Sequence, residues 1–412
     1  MRLIEFKSIS VWICFAYFFL LFSQKIHAGF MTYHEAILKI EDSISSIADT
    51  TKRGIEQHKF KQWKARIEQI RQLSQVASVE HPVVISITSS PERLKHVPTV
   101  LSLIQDQITK DYIKKVIIVL PEKFRDNMDY NPEDIQPLSN LHEKVEVQRI
   151  SKDLGPITKI IPAIEWANKH MSSGKVLSID DDIAYSPSLV HVLAQAAHEP
   201  ETVSSGGGSK KQRWNIPEDF PQQLPHHDSK SANYVDVIEG YGGVLYPLNI
   251  NTELMKALVD PKFTSQSCKL SDDLVISFVL AIQNIYRVKA SGSLVPIFHI
   301  PYGNQADALH STAPSDLLIT DLRQVDAIKY QDCYKKLREV SYDHEHKKFK
   351  TTEEIMAAYH QKIHEYVEQS SAGCTSSYSS SPDPLGHVAQ QGAESVRVVT
   401  GHVLQDQEAE KK

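Results

Sequence analysis

Between Pro82 and Ile179 the chain repeats one pattern: short apolar runs of strand length, separated by stretches with helical spacing. Val83-Val84-Ile85-Ser86-Ile87 reads as a buried strand and Val97 to about Gln107 as a helix. Val116-Ile117-Ile118-Val119-Leu120 is the next strand and Val145-Glu146-Val147 a short third. Ile160 to about His170 suits a helix, which leads into the strand Val176-Leu177-Ser178-Ile179. Strands alternating with helices predict an α/β fold: a mixed, mostly parallel sheet with helices on both faces. At 412 residues the chain can bury a sizeable core, and its 41% hydrophobic and 23% charged composition is that of a globular protein. A formal net charge of -6 supplies no basic face for wrapping nucleic acid.

The flanks differ from this centre. Arg2 and Lys7 precede an apolar run from Ile9 to Phe22. Such a run makes about 21 Å of helix, short of a ~30 Å hydrocarbon core, so residues 1–28 read as a secretory signal peptide ending at Ala28. The rival reading is a short uncleaved membrane anchor with the same orientation. Either one assigns the chain to the secretory pathway, secreted or membrane-anchored. Ile37, Ile40, Ile44 and Ile47, then Ile67, Ile70 and Leu73, fall at helical intervals and predict a helical stem or bracing hairpin over 29–80. Heptads break around Thr50-Thr51 and Gly54, which weakens a coiled-coil reading.

Ser204-Ser205-Gly206-Gly207-Gly208-Ser209-Lys210-Lys211 reads as a flexible loop, extended by a polar segment to Asp228. Tyr234-Val235-Asp236-Val237 is strand-like, and Leu274 to Ile285 reads as a helix. A C-terminal helical extension covers 316–369 and ends on an amphipathic helix from residue 350. The Ser-rich, then polar and charged, segment 370–412 is expected to be disordered. Cys14, Cys268, Cys333 and Cys374 show no CxxC spacing, which argues against a structural zinc site or a disulfide framework. One bridge among the last three is open and unassigned.

The strand at Val176 stops on Asp180-Asp181-Asp182. Three adjacent carboxylates repel one another and have poor strand propensity, so folding alone does not call for them. Hard oxygen ligands at a strand's carboxyl end suit Mg²⁺ or Mn²⁺, and a metal held there can grip a phosphate-bearing substrate.

Several motifs over 81–315 then occur in an order that resembles the nucleotide-sugar glycosyltransferases of the GT-A fold, a Rossmann-like architecture, in particular the family 2-like branch. Ile87-Thr88-Ser89-Ser90-Pro91-Glu92-Arg93, followed by Leu101 to Gln107, is similar to the donor-entry segment. Asp153-Leu154-Gly155-Pro156-Ile157-Thr158-Lys159 resembles a D-x-G-P-x-T-K element, and the Asp triplet stands in the place of D-x-D. Glu239-Gly240-Tyr241-Gly242-Gly243 resembles a Gly-rich acceptor-side turn, and Ser271-Asp272-Asp273 the acidic motif opening the catalytic helix.

The resemblance implies a metal-dependent, inverting transfer of a sugar from a nucleotide-diphosphate donor to a glycan, lipid or protein hydroxyl. Asp182 is expected as metal ligand, Asp180 near ribose or metal, and Asp181 pointing elsewhere. Thr88, Arg93 and Lys159 are candidate donor contacts, with Arg a fork for phosphate and Lys a point charge. Asp273, or else Asp272, is the candidate base that takes the acceptor proton; capping of the helix by Ser271 or Asp272 is the plainer alternative. His310, with Asp307 as the alternative, is a candidate late metal ligand. Tyr241, Gly242 and Gly243 are candidate substrate contacts, while His226-His227-Asp228 and His344-Glu345-His346 read as solvated loops.

Two other classes compete. A haloacid-dehalogenase-like phosphatase also ends a strand on Asp-x-Asp, but it wants Thr or Val where this chain has Ala184, and it places that motif on its first strand. A non-catalytic sugar-binding protein on a GT-A-like fold would have little reason to keep the carboxylates intact.

Overall fold

The computed structural model describes residues 29–73, 79–125, 127–197, 201–221, 233–292, 294–302 and 322–375. The predicted leader, the tail beyond Thr375, His226-His227-Asp228, Asp307 and His310 lie outside these residues. Among the described residues no helix is long and apolar enough to cross a membrane. Residues up to His360 form one compact unit, and a second begins at Gln361.

The first unit is built on a seven-stranded sheet. Its strands are β1 (Val83–Ile87), β2 (Ile113–Pro121), β3 (Val145–Ile150), β4 (Lys175–Ile179), β6 (Val203–Ser209), β7 (Val237–Pro247) and β8 (Arg287–Lys289). They lie in the order β8-β6-β7-β4-β1-β2-β3. β1 runs parallel to β2 and β4, β2 to β3, and β6 to β8; only β7 is antiparallel to its neighbours β4 and β6. This is the mixed, mostly parallel sheet expected. Two short strands, β5 (Ile183–Ala184) and β9 (Phe298–His299), pair beside it.

β1 and β4 are buried at every position because helices cover both faces of the sheet. Alternation along the strands splits their side chains between two cores. Ile85, Ile87, Leu177 and Ile179 join one core, together with α1 (Tyr33–Ser45), α2 (Thr50–Leu73), α3 (Val97–Leu103) and α5 (Leu189–Ala196). Val84, Ile117, Val119 and Val176 join the other, against α4 (Ile161–His170), α6 (Thr252–Val259), α7 (Asp272–Ile282) and α8 (Leu322–Ser341). Each fully buried Ile, Leu or Val contributes about 1.5–3 kcal/mol, so a one-residue slip that turned either set outward would not be tolerated.

The amino-terminal helices brace this body. A reciprocal Thr32–Glu35 capping box starts α1, which buries Ala36, Ile37, Ile40 and Ile44. α2 buries Phe60, Trp63 and Ile67; Trp63 Nε1 donates to the Pro296 carbonyl at 3.2 Å, and the Phe60 ring lies 5.0 Å from that of Phe298. α2 therefore supports β9 directly. At the other end, α9 (Thr352–Thr375) continues past Ser370, where the sequence predicts the tail to begin.

Two segments that read as loop and turn are strands. Ser204–Ser209 lie within β6, hydrogen-bonded between β7 and β8, and Gly240–Gly243 lie within β7. The reason is a close backbone crossing. A Cβ on Gly206 would sit 2.3 Å from the Gly242 carbonyl oxygen, and one on Gly242 would sit 2.0 Å from the Gly207 nitrogen. The register slips between Ser205 and Gly207, at the same point.

Cys268 and Cys333 form a disulfide across 65 residues, joining the turn Gln266–Lys269 to α8. The sequence left that pairing open. Closing a loop of this length stabilises by about 4 kcal/mol in the chain-entropy treatment.

The packing at the glycines separates two substitutions. Gly242→Ala is expected to lower the free energy of unfolding by about 2–3 kcal/mol, since nothing at the crossing except backbone can yield. Gly54→Ala, in open space on α2, should instead raise it by about 0.5–1 kcal/mol. Urea unfolding of both variants checks the pair, and equal effects would count against the crossing argument.

Candidate active site

After β3 the chain crosses back to lay β4 on the far side of β1, so the connections leaving β1 and β4 diverge at their carboxyl ends. Open α/β sheets present a crevice at such a switch point. Here it is a cavity of about 1040 Å³, lined by Thr88 and Arg93 after β1, Asp180 to Asp182 after β4, and Asp272 and Asp273 at the start of α7.

The three adjacent aspartates have three different environments. Asp181 turns inward and is 1% exposed; Ser89 Oγ donates to it at 2.5 Å and Arg93 Nη2 lies 2.6 Å from its Oδ1. Arg93 Nη1 donates to Asp182 Oδ2 at 2.9 Å, so one guanidinium fork spans both carboxylates. Asp180 is paired with Lys159 Nζ. Burial pushes the Asp181 carboxyl upward and the Arg93 charge opposes it. For the two cations burial works the other way. Yet Asp181 and Asp182 hold Arg93, and Asp180 and Asp272 hold Lys159, above their ordinary values.

Local structure explains how the cations arrive. Asp153 Oδ1 accepts from the Gly155 amide at 2.8 Å, and its Oδ2 from the Arg125 amide at 2.7 Å. Thr158 Oγ1 accepts from the Leu154 amide at 3.1 Å. These bonds close the turn Gly155–Lys159, and Ser86 Oγ on β1 donates to the Lys159 carbonyl, which fixes the lysine stem against the sheet. Gly155 has φ +78°, and a Cβ there would meet the Lys269 carbonyl oxygen at 2.4 Å. On the β1 side, Tyr130 Oη donates to the Ser89 carbonyl at 2.7 Å. Thr88 lines the cavity, and its Oγ1 donates to the Val119 carbonyl at 2.7 Å.

The start of α7 carries the second acidic pair. Ser271 occupies the cap position of α7 without a side-chain capping bond, so the plainer capping alternative fails for that residue. Asp273 Oδ1 accepts from the Gly240 amide at 2.8 Å, and its Oδ2 from Tyr330 Oη at 3.2 Å. Burial, then the neighbouring Asp272 carboxylate, push Asp273 well above the ordinary carboxylate range, while Lys159 pulls it back. Asp272 is also raised by burial and also faces Lys159.

The structure thus brings together Thr88, Arg93, Lys159, Asp180, Asp182, Asp272, Asp273 and Tyr241 around one cavity. Gly242 and Gly243 are buried; Gly242 faces the β6 backbone and Gly243 faces Leu189 and Tyr185. Four residues around the site escaped the sequence reading: Glu239, Tyr330 and His299 on the cavity wall, and Tyr185 behind it. Tyr185 Oη accepts from the Asp180 amide at 2.8 Å and donates to the Tyr241 carbonyl at 3.2 Å. His299 alone had a local signal, since it follows a strand-like apolar run. It is exposed on β9, opposite Ile183.

Among the described residues no group of three or more His, Cys, Asp or Glu side chains converges on one point. Asp180 and Asp182 nonetheless present hard oxygens to the cavity, their side chains 25% and 32% exposed. Both are now paired with cations, and as hard oxygen donors they are the residues that would hold a divalent cation there.

Arg93 is the only cation paired with buried Asp181 among the described residues. Arg93→Ala is therefore expected to lower the free energy of unfolding by about 3–5 kcal/mol, by leaving a buried charge uncompensated. Arg93→Lys should recover only part of this, because a point charge cannot span two carboxylates. A urea midpoint unchanged in the alanine variant would refute the assignment.

No family model and no curated protein matches the chain. Solved structures with similarity include galactosyltransferase LgtC in complex with donor and acceptor sugar analogues, at TM-score 0.31 and 9% identity, covering 50% of this chain and 73% of that one. They also include GalNAc-T7 with UDP, GalNAc and Mn²⁺, at TM-score 0.36 and 11% identity, covering 64% of this chain and 56% of that one. At these values the likeness is to part of a fold, and no residue role is taken from it.

Proposed function

We propose that the chain is a glycosyltransferase that moves a sugar from a nucleotide-diphosphate donor onto a hydroxyl acceptor with inversion. The observation that carries this reading is one cavity lined both by an acidic run with its cations and by a second acidic pair. Arg93 and Lys159 pair with the Asp180–Asp182 run, and Lys159 also lies beside Asp272 and Asp273, whose proton affinity burial raises. A diphosphate needs cations beside it, and an attacking hydroxyl needs a base on the far side of the anomeric carbon. The ordered motifs of the sequence support the same reading and add its GT-A, family 2-like character.

In this mechanism the acceptor oxygen attacks the anomeric carbon as the bond from that carbon to the phosphate oxygen breaks. Asp273 takes the hydroxyl proton, oriented by the Gly240 amide and Tyr330 Oη. Arg93 and Lys159 face the charge that gathers on the departing nucleoside diphosphate. Asp180 and Asp182 would hold Mn²⁺ or Mg²⁺, which when bound supplies Lewis-acid stabilisation of that charge.

A screen of nucleotide-sugar donors by nucleotide release, with Mn²⁺ or Mg²⁺, tests the reading. Wild type should release nucleotide with at least one donor, and Asp182→Asn should lose both that release and metal-dependent donor binding. Phosphate release from monoesters without sugar transfer would instead favour the phosphatase class.

The base makes a second prediction, in pH. Asp273 acts only when ionised, so activity rises with pH as its carboxyl loses its proton. Because that carboxyl is raised, the ascending limb of kcat/KM should lie above the ordinary carboxylate value near ~4. Asp273→Asn should lower kcat by about 10²–10⁴-fold. An ascending limb at the ordinary carboxylate value, or an asparagine variant with wild-type kcat, would sink the assignment.

A further inference from the structure

Glu239 is the carboxylate in this cavity that the mechanism above does not use. It lies on β7 and is 2% exposed, yet it lines the cavity, where the Tyr241 hydroxyl faces it. Its nearest charged neighbour is Arg213, with Nη1 3.3 Å from Oε1. Arg213 and Tyr241 fill only part of the acceptor capacity of this buried carboxylate, and in native proteins such groups are few and call for an explanation.

The surroundings narrow what could satisfy it. The Arg213 charge beside Glu239 opposes a second cation, metal or ammonium, in the same place. Neutral donors remain. Two carboxylate oxygens side by side accept from two hydroxyls at once. Tyr241, half-buried on the cavity lining, offers a ring face against which an apolar sugar face can lie. Arg213 stacks over Trp214 at 4.9 Å, and the Trp214 ring is 5.0 Å from that of Tyr330, which holds Asp273. The next residue along β7, Gly240, also holds Asp273. Glu239 therefore borders the base.

We infer that Glu239 is an acceptor-binding residue that receives two hydroxyls of a sugar ring, and hence that the acceptor is itself a glycoside. This role for Glu239 rests on the transferase reading. Asp273 takes one hydroxyl of the acceptor. A serine or threonine side chain or a simple lipid alcohol has then nothing left to donate, whereas a sugar ring brings further hydroxyls on adjacent carbons.

Two measurements on the full chain test this. Saturation-transfer NMR with a panel of methyl glycosides should show binding to wild type, weakened about tenfold or more in Glu239→Gln, the scale of losing hydrogen bonds to a charged group. Steady-state transfer from a responsive nucleotide sugar should proceed to glycosides and not to serine peptides or fatty alcohols. In that assay Glu239→Gln should raise the acceptor KM about tenfold or more while the donor KM stays within about twofold. If thermal melting shows that Glu239→Gln does not fold, Glu239→Asp serves instead. It keeps the charge but draws the carboxylate back by one methylene, and the same rise in acceptor KM is expected. Transfer only to peptides or fatty alcohols, an unchanged acceptor KM, or a change confined to the donor KM would overturn the inference. Glycosides that bind wild type but not the variant, with no nucleotide sugar turned over, would sink the transferase reading and leave the glycoside site standing.

Discussion

The Arg93 fork across Asp181 and Asp182 is the interaction on which the rest of the site depends. Like charges about 4 Å apart at a protein surface repel by roughly 4 kcal/mol, so three aspartates in a row cannot end a strand unless cations are brought to them. Arg93 comes from the segment after β1, and Lys159 from the turn that Asp153 and Thr158 close. Asp181, turned inward onto Ser89 and Arg93, is the anchor of this arrangement. Its neighbours are thereby left on the cavity side. The cations that make the acidic run tolerable are the groups a diphosphate needs, so one set of contacts serves both folding and the proposed chemistry.

The second acidic pair depends on a different constraint, the approach of two backbones. β6 and β7 come so close at Gly206, Gly207 and Gly242 that no side chain fits between them. This crossing lies beside Gly240, whose amide meets Asp273, and Glu239, whose carboxylate faces the cavity. The Cys268–Cys333 bridge ties α8 to the turn before α7, and α8 delivers Tyr330 to the same aspartate. Asp273 is thus held from two elements distant in sequence.

Much of the fold was legible in the chain. β1, β2 and β4 fall where apolar runs of strand length occur, because strands covered on both faces need hydrophobic residues at almost every position. The glycine segments misled for an equally physical reason. Glycine marks flexibility in an exposed loop and close packing in a sheet, and nothing local distinguishes the two. Within the site, Arg93, Lys159, the Asp triplet and Asp272-Asp273 stood out as chemistry-bearing residues beside predicted strands and helices. Glu239 and Tyr330 did not. Glu239 lay in a segment read for its glycines, and Tyr330 lies 57 residues beyond Asp273 on a helix with no motif of its own.

By itself the sequence determined the alternating α/β order, the strand that ends on carboxylates, and the supply of cations and acids around it. These are consequences of periodicity and residue type, which are local properties. Only the tertiary structure decided how the charges pair, which aspartate turns inward, which cysteines join, and that a Gly-rich run is a central strand. Each of those outcomes depends on distances between segments tens of residues apart, and they are set by the strand order and the packing of two cores on opposite faces of one sheet.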